Sequence, residues 1–385
     1  MSIYNLTGTE LSEAFSKAGE PLDKCYDLGG NVIFETGDYD HWDTEYQHSI
    51  LIARDEWAEE YRADNTVLPI VLHTDQHTYL KQDFSKALFQ YLCLAVNWDE
   101  CAACVNLGDV SDYYDESDFS QMQTCLNLIP TAKQINIWGN HETWPRSGQT
   151  VNWATLQSYF DNSHFNGYLF QSGTLCNQSM IDSARGIKFV VAGCWDYDPD
   201  RGATTYNMDS DNIDTLISML SQNDGNDIVF LSHIQPFTIS EQLQADGTTR
   251  WYIPAVDGQS ASSTTTSAGS MNGQNSIAAI FNARKAKTSG SVTDWYGNTH
   301  TFDFSNCTSD LLCCLHGHWH KDWYNWQGWS ARDLPIIMFD ALYYDNHPFY
   351  FVNINRTTEK VNVWKIDDTA AIYRYSVDFA QPVST

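Results

Sequence analysis

Seven side chains that can bind a metal ion lie in five short clusters along the chain, each directly after an apolar run. They are Asp75, His77, Asp109, Asn140, His233, His318 and His320. Mixed oxygen and nitrogen donors without thiolate suit Mn, Fe or Zn, and they argue against Ca or a structural zinc site. A single histidine is more often a structural residue than a ligand. The joint occurrence of all five clusters at these places nevertheless predicts a metal centre.

The tetrad Gly139-Asn140-His141-Glu142 is the centre of this pattern. It follows the apolar run at 135–138, so a strand delivers an amide, an imidazole and a carboxylate to a turn that glycine opens. Taken alone, the tetrad also fits a simple chain turn with a solvated histidine. The other four clusters therefore carry most of the argument for chemistry.

Strands and helices alternate around the first three clusters. Apolar runs at 67–72, 101–107 and 135–138 are typical of buried strands, and helical spacing is found from 82 to 95 and from 117 to 128. Such alternation predicts a largely parallel sheet, whose functional groups gather outside the carboxyl ends of its strands. We therefore expect these three clusters to meet at one edge of a sheet.

Further strands are predicted at 189–192, 228–231, 311–315, 336–339, 350–355 and 361–366, with a helix from about 210 to 220. Antiparallel pairing of the last two strands suggests a second, mixed sheet packed on the first. Residues 237–306 are predicted to be an inserted flap that contains a Ser/Thr/Ala/Gly stretch at 260–273, a helix at 275–287 and a hairpin turn at Gly297-Asn298. The flap's basic residues Arg284, Lys285 and Lys287 either complement a helix end or touch a substrate phosphate.

Composition limits the partners and the location of the protein. The chain has 49 acidic and 21 basic residues and a formal charge of −28, so duplex nucleic acid is disfavoured as a partner. We find neither a signal-peptide pattern nor an apolar span of about 20 residues. We therefore expect a protein that does not associate with a membrane and that is either cytoplasmic or virion-associated. The ten cysteines indicate buried thiols in a reducing compartment, and the Cys101-x-x-Cys104 spacing is interpreted as strand core because it lacks a second pair.

Residues 1–45 differ from the rest of the chain. The segment 14–22 is echoed at 25–33, a shift of 11 residues, with a glycine turn in each unit. Two such units could pair as short strands, but they are too few to stand alone. The segment is interpreted either as a flexible arm or as an attachment module for a virion or assembly partner, because similar repeats occur at the N-termini of some phage tail-associated proteins.

The ordered blocks resemble the signature of the calcineurin-like metallophosphoesterase superfamily. That signature runs D-x-H, G-D-x-x-D, G-N-H-(D/E), a single H and then G-H-x-H, and the chain matches every block from Asp75 to His320. The resemblance covers most of the chain after residue 65. It implies an α/β fold, a two-sheet αββα sandwich, which we expect over residues 60–380 with a small N-terminal attachment at 1–45.

The resemblance also implies a role for each residue. Asp75, His77, Asp109 and His320 would hold one metal ion, and the second would be held by Asp109, Asn140, His233 and His318. Asp109 would bridge the two ions. His141 would be the general acid that protonates the leaving group, and Asp112 its orienting partner. Tyr113 stands where the protein Ser/Thr phosphatases of the superfamily have Arg, which disfavours a protein-phosphatase activity.

The expected function is hydrolysis of phosphate esters by a metal-bridging hydroxide. A diester is favoured over a monoester because its alkoxide leaving group needs the proton that His141 supplies. Two alternatives stay open at this point. One is a nuclease that acts on single-stranded nucleic acid, and the other is a virion structural or attachment protein in which the metal site is secondary.

Overall fold

The computed structural model is a mixed α/β protein. It describes residues 3–4, 10–11, 24–26, 32–35, 44–77, 89, 91–143, 149–165, 169–170, 177–192, 210–234, 240–243, 249–252, 274–294, 297–318, 323–326, 334–339, 349–366 and 372–379. His320 lies outside these residues, as do most of the predicted arm and the Ser/Thr/Ala/Gly stretch.

A six-stranded sheet carries the first three clusters. From one edge to the other it runs through Ile372–Asp378, Lys360–Ile366, Phe349–Asn355, Leu68–His73, Ala103–Asn106 and Gln134–Asn136. The last three strands are parallel, as the sequence predicts, whereas Phe349–Asn355 is antiparallel to Leu68–His73. The prediction that 350–355 and 361–366 belong to the second sheet is therefore wrong. The partner of a strand is a non-local choice, which the local sequence does not encode.

A seven-stranded sheet carries the other two clusters. Its order is Trp323–Trp326, Pro335–Met338, Leu311–His316, Asp227–Ser232, Ile187–Ala192, Asn177–Asp182 and Leu169–Phe170. The four strands from Pro335–Met338 to Ile187–Ala192 are parallel, and the three remaining strands are antiparallel to their neighbours. Parallel strands buried on both faces are apolar throughout, and this explains the continuous runs in the sequence.

Successive side chains of the central strands enter two different hydrophobic clusters. In Leu68–His73, Ile70 and Leu72 join a cluster that contains residues of both large sheets, and Val71 joins the cluster that contains the helices. Phe230 in the other sheet also joins the helix cluster. This follows from the period of two along a strand. Alternate residues of a central strand thus belong to different hydrophobic clusters.

The α-helices in the described residues are Thr44–Ala63, Glu116–Leu126, Trp153–Phe160, Ser210–Ser221 and Gln274–Ala286, and two 3-10 turns span Thr131–Lys133 and His141–Thr143. Thr44–Ala63 lies against the six-stranded sheet, where Trp57 is fully buried and stacks on Phe351 at 4.8 Å between ring centroids. The helix begins at Thr44, so part of the chain before residue 60 packs against this sheet.

Four short hairpins accompany the two sheets. They pair Ile3–Tyr4 with Glu10–Leu11, Lys24–Tyr26 with Val32–Glu35, Ser240–Leu243 with Thr249–Tyr252, and Ser289–Thr293 with Thr299–Asp303. The last one forms around the predicted Gly297-Asn298 turn. In the helix before it, Arg284 is fully buried and donates to the carbonyls of Leu220 and Ser309 at 2.8 and 2.9 Å. Arg284 thus anchors the helix to its neighbours and does not face solvent.

Cys104 lies in the strand Ala103–Asn106, as the interpretation as strand core requires, and Cys101 lies two residues before that strand. Both are fully buried free thiols, and burial raises the pKa of Cys101 to about 12. A thiolate, the form that binds metal or reacts, is therefore disfavoured at Cys101. None of the helices in the described residues combines the length and the apolarity that a bilayer crossing requires.

Candidate metal centre

The predicted ligands lie on loops that leave the carboxyl ends of strands in both large sheets. The six-stranded sheet delivers Asp75, His77, Asp109 and Asn140, and the seven-stranded sheet delivers His233 and His318. The loops are joined by main-chain hydrogen bonds. The amide of Asp75 donates to the carbonyl of Gly108 at 2.8 Å, and the amide of His77 donates to the carbonyl of Asp109 at 2.7 Å. Six of the seven predicted ligands are thus described, and the loops hold them together.

The backbone of the site is strained. Six described non-glycine residues have positive φ, and four of them are predicted ligands: Asp75 at 52°, His77 at 47°, Asp109 at 54° and His318 at 79°. A left-handed conformation costs roughly 1–3 kcal/mol for each such residue and persists only where the surroundings enforce it. Strain of this kind concentrates at functional sites, so its distribution points to the same residues as the sequence does.

Asp109 is the shared member of two groups of donors. The ligand atoms of His77, Asp109 and His141 all lie within 4.8 Å of one another, and so do those of Asp109, His233 and His318. The Asp109 carboxylate is 1% exposed. Its Oδ2 lies 3.0 Å from Nε2 of His233 and 3.8 Å from Nε2 of His141, and its Oδ1 accepts the amide of His141 at 3.0 Å. A carboxylate can span two cations, so this position suits a bridging ligand.

The ring of His233 is oriented by a main-chain carbonyl. Its Nδ1 lies 2.9 Å from the carbonyl oxygen of Leu107, which can only accept, so Nδ1 carries the proton. Nε2 then faces two further acceptors, Oδ1 of Asn140 at 3.1 Å and Oδ2 of Asp109 at 3.0 Å. Nε2 and these two oxygens each direct a lone pair into the same buried place, so they need a cation or a proton between them. The donors present therefore fit a divalent metal ion.

The charges of the site shift two pKa values in opposite directions. Burial alone would raise the pKa of Asp109, but the imidazoles of His233, His141 and His77 hold it well below its usual range. Burial alone would lower the pKa of His233, but the carboxylates of Asp109 and Asp75 raise it to about 9. A buried ion pair is the result, and a metal ion that binds here competes with the proton of His233.

His141 lies at the more exposed side of the cluster, with its side chain 25% exposed. Its Nδ1 is 2.6 Å from the main-chain oxygen of Asp112, so that oxygen contacts the predicted general acid. The carboxylate of Asp112 lies 3.0 Å from Nδ1 of His77. The sequence predicts Asp112 as the orienting partner of His141. In the structure the main-chain oxygen of Asp112 contacts His141, and its carboxylate contacts His77.

Close approach between loops explains the glycines of the signature. A Cβ atom built at Gly139 would collide with the carboxylate of Asp109, and one built at Gly317 would collide with Thr74 and with the carboxylate of Asp75. Oδ2 of Asp75 accepts the hydroxyl of Thr74 at 2.6 Å and the amide of His318 at 2.9 Å. These hydrogen bonds connect the first cluster to the last one. Because Gly139 and Gly317 have no Cβ atom, the carboxylates of Asp109 and Asp75 can lie close to the backbone at these two positions.

His320, the fourth ligand of the first predicted metal ion, lies outside the described residues and stays a prediction. Two histidines beside the ligand clusters, His73 and His316, are fully buried, and burial lowers the pKa of each to about 3. His73 packs on Phe89 at 4.5 Å between ring centroids.

Glu142, the last residue of the tetrad, has no role in the ligand assignment made from the sequence. This carboxylate is fully buried and accepts amide protons from both neighbouring ligand loops. The signal available in the sequence was an acid inside a turn that follows a buried strand. Only the fold shows which amides face it.

No protein-family model matches the chain, and no curated protein matches it in sequence. Among solved structures, the chain is similar to the crystal structure of a dimetal phosphatase from Danio rerio. The TM-score is 0.49 and the sequence identity is 11%, and the alignment covers 81% of this chain and 99% of that one.

Proposed function

We propose that the protein is a metal-dependent hydrolase of phosphate esters that acts on diesters in preference to monoesters. The observation that carries the proposal is the buried carboxylate of Asp109, shared by two three-donor groups at the strand ends of both sheets. The ordered motif blocks support the same assignment. We place the site in a two-sheet sandwich with outer helices, and the faces that the sheets contribute to a common core support this arrangement.

The two metal ions are assigned as the motif order implies, with Mn, Fe or Zn as the candidate identities. Asp75, His77, Asp109 and His320 would hold one ion, and the other would be held by Asp109, Asn140, His233 and His318. Two divalent ions supply Lewis-acid stabilisation of the charge that develops on a phosphoryl group. The protein contributes the orientation of the ligands, which the carbonyl of Leu107 provides for His233.

His141 is proposed as the general acid. The carbonyl oxygen of Asp112 fixes a proton on its Nδ1, so proton transfer falls to Nε2, on the side of Asp109. A protonated Nε2 can donate to the oxygen of a departing alkoxide, which is the poor leaving group of a diester. A good leaving group would depend much less on His141.

The test compares hydrolysis of bis(p-nitrophenyl) phosphate and p-nitrophenyl phosphate with Mn, with Zn and without metal. The variants are His141→Ala, Asn140→Ala and, as a control, His48→Ala at an exposed position. We expect turnover of bis(p-nitrophenyl) phosphate to require metal but to depend little on His141, because nitrophenolate leaves without a proton. On a dinucleoside monophosphate, a diester with an alkoxide leaving group, we expect His141→Ala to lower turnover roughly 10²- to 10⁴-fold. A protein that binds metal but is equally inert on both esters in all forms would contradict the proposal, and the role as an attachment protein would then lead.

A further inference from the structure

Glu142 connects two ligand loops with one side chain. It lies in the 3-10 turn His141–Thr143 and is fully buried. Its Oε2 accepts the amide of Gly139 and, at 2.9 Å, the amide of Asp109. Its Oε1 accepts the amide of Ser111 at 3.0 Å. One carboxylate thus ties the loop after Gln134–Asn136 to the loop after Ala103–Asn106.

The amides that Glu142 binds belong to residues at or beside the site. Asp109 is the shared ligand, Gly139 precedes Asn140, and Ser111 precedes Asp112. Asp109 also holds a left-handed backbone, with φ of 54°, which needs outside support. A buried amide left without a hydrogen-bond partner is strongly unfavourable, so these three amides are held in place by the Glu142 side chain. The carboxylate therefore determines where the main chain of Asp109 lies.

Glu142 is not part of either three-donor group of the described residues. Its two oxygens face main-chain amides of the two loops. Its influence on a metal ion must accordingly pass through Asp109 and the tetrad.

We propose that Glu142 is a positioning residue that holds Asp109 and the turn of Asn140 and His141 at the separation that two metal ions require. The proposal rests on the proposed function, because it presupposes that the donors of this site bind metal. It assigns to the last residue of the tetrad a role in metal affinity that is exerted without contact with metal or substrate.

Glu142→Gln is a sharp test, because the side chain keeps its shape and loses one acceptor. In either orientation of the amide, an NH₂ group faces main-chain N–H donors, on the side of Ser111 or on the side of Gly139 and Asp109. We expect Mn²⁺ affinity, measured by calorimetry, to fall roughly 10- to 100-fold, the range for outer-shell changes. Excess Mn²⁺ should restore the activity of this variant, whereas it should not restore His141→Ala. Glu59→Gln, at an exposed position, is the matched control.

Two outcomes would overturn the proposal. One is a folded Glu142→Gln variant that binds Mn²⁺ as tightly as wild type does. The other is rapid hydrogen exchange at the amides of Asp109, Ser111 and Gly139 in wild-type protein without metal, because the contacts with Glu142 should protect these amides. This measurement does not depend on the folding of the variant. If wild type itself binds no Mn²⁺ while these amides are protected, the proposed function is wrong. The role of Glu142 in metal affinity is then overturned too, and its hydrogen bonds only stabilise the two loops.

Discussion

Asp112 contacts two histidines of the site with two different atoms. Its main-chain oxygen lies beside Nδ1 of His141, and its carboxylate lies beside Nδ1 of His77. In the proposed metal site, a carboxylate beside Nδ1 of His77 would fix the ring and raise the basicity of Nε2 as a ligand. Because the carbonyl contact does not depend on the side chain, the two roles of Asp112 can be separated by substitution.

Asp112→Asn should weaken metal binding more than it impairs proton transfer. The substitution leaves the carbonyl that holds His141 and removes the charge beside His77. We expect the apparent Mn²⁺ dissociation constant to rise roughly 10- to 100-fold, with kcat at saturating Mn²⁺ far closer to wild type than that of His141→Ala. The pH profile of kcat, recorded at saturating metal, checks this. A loss of kcat equal to that of His141→Ala would show that the Asp112 side chain orients the acid.

Candidate ligands can be proposed from the sequence because ligand type and strand-end position are local properties. Asp109, His233 and His318 form one of the two donor groups of the described residues, and His77, Asp109 and His141 form the other. The contacts of Glu142 and the split role of Asp112 are not encoded in this way. They depend on which main-chain groups of a neighbouring loop face a side chain, and this is decided by tertiary structure.

Among the elements, the helix Thr44–Ala63 is the main one absent from the sequence-based prediction. Its buried residues Ile50, Ala53, Trp57 and Tyr61 recur every three or four positions, so a helical signal was present. Charged residues between them make the segment polar on average, which hides an apolar stripe. The strand Asn177–Asp182 was also missed. It contains buried Gln178 and Ser179, and polar residues of this kind do not mark a core strand.

His300 joins the hairpin of the predicted flap to the helix Ser210–Ser221. The ring is almost fully buried, with Nδ1 at 2.7 Å from Oδ1 of Asp214 and Nε2 at 3.0 Å from Oδ2 of Asp294. Both partners are acceptors when ionised, so the geometry favours an imidazolium with a proton on each nitrogen. Burial opposes this charge, but the two carboxylates raise the pKa of His300 above its ordinary value.

This contact predicts a pH-dependent contribution to stability. Because the pKa is higher in the folded state than in the unfolded one, the stabilisation is complete below about pH 6.5 and is lost as the pH rises through the raised pKa. We expect His300→Gln to lower the free energy of unfolding by roughly 1.5–3 kcal/mol near pH 6 and by less at higher pH. Urea denaturation between pH 6 and 9 measures this, with His48→Gln as the control at an exposed position. A difference that is the same at every pH would contradict the assignment.

At the scale of the whole molecule, the candidate site forms where the strand ends of two sheets meet. Residues 75, 109 and 140 come from one sheet and residues 233 and 318 from the other, and Asp109 contacts His233 across that junction. The sequence predicts two sheets, but it does not specify which strands are neighbours. The role of residues 1–45 as a module that binds a virion or assembly partner stays a prediction. The charge of −28 disfavours duplex nucleic acid as a substrate, and this also stays a prediction.

The most direct measurement of the central claim is the number of Mn²⁺ ions bound per chain by wild type and by Asp109→Asn, determined by calorimetric titration. Asp99→Asn, an exposed change of the same kind, is the control. If Asp109 is shared by two ions, wild type and the control bind two equivalents, and Asp109→Asn loses affinity at both sites together, because a neutral amide does not bridge two cations. Two equivalents bound by Asp109→Asn with unchanged affinity would contradict the shared centre.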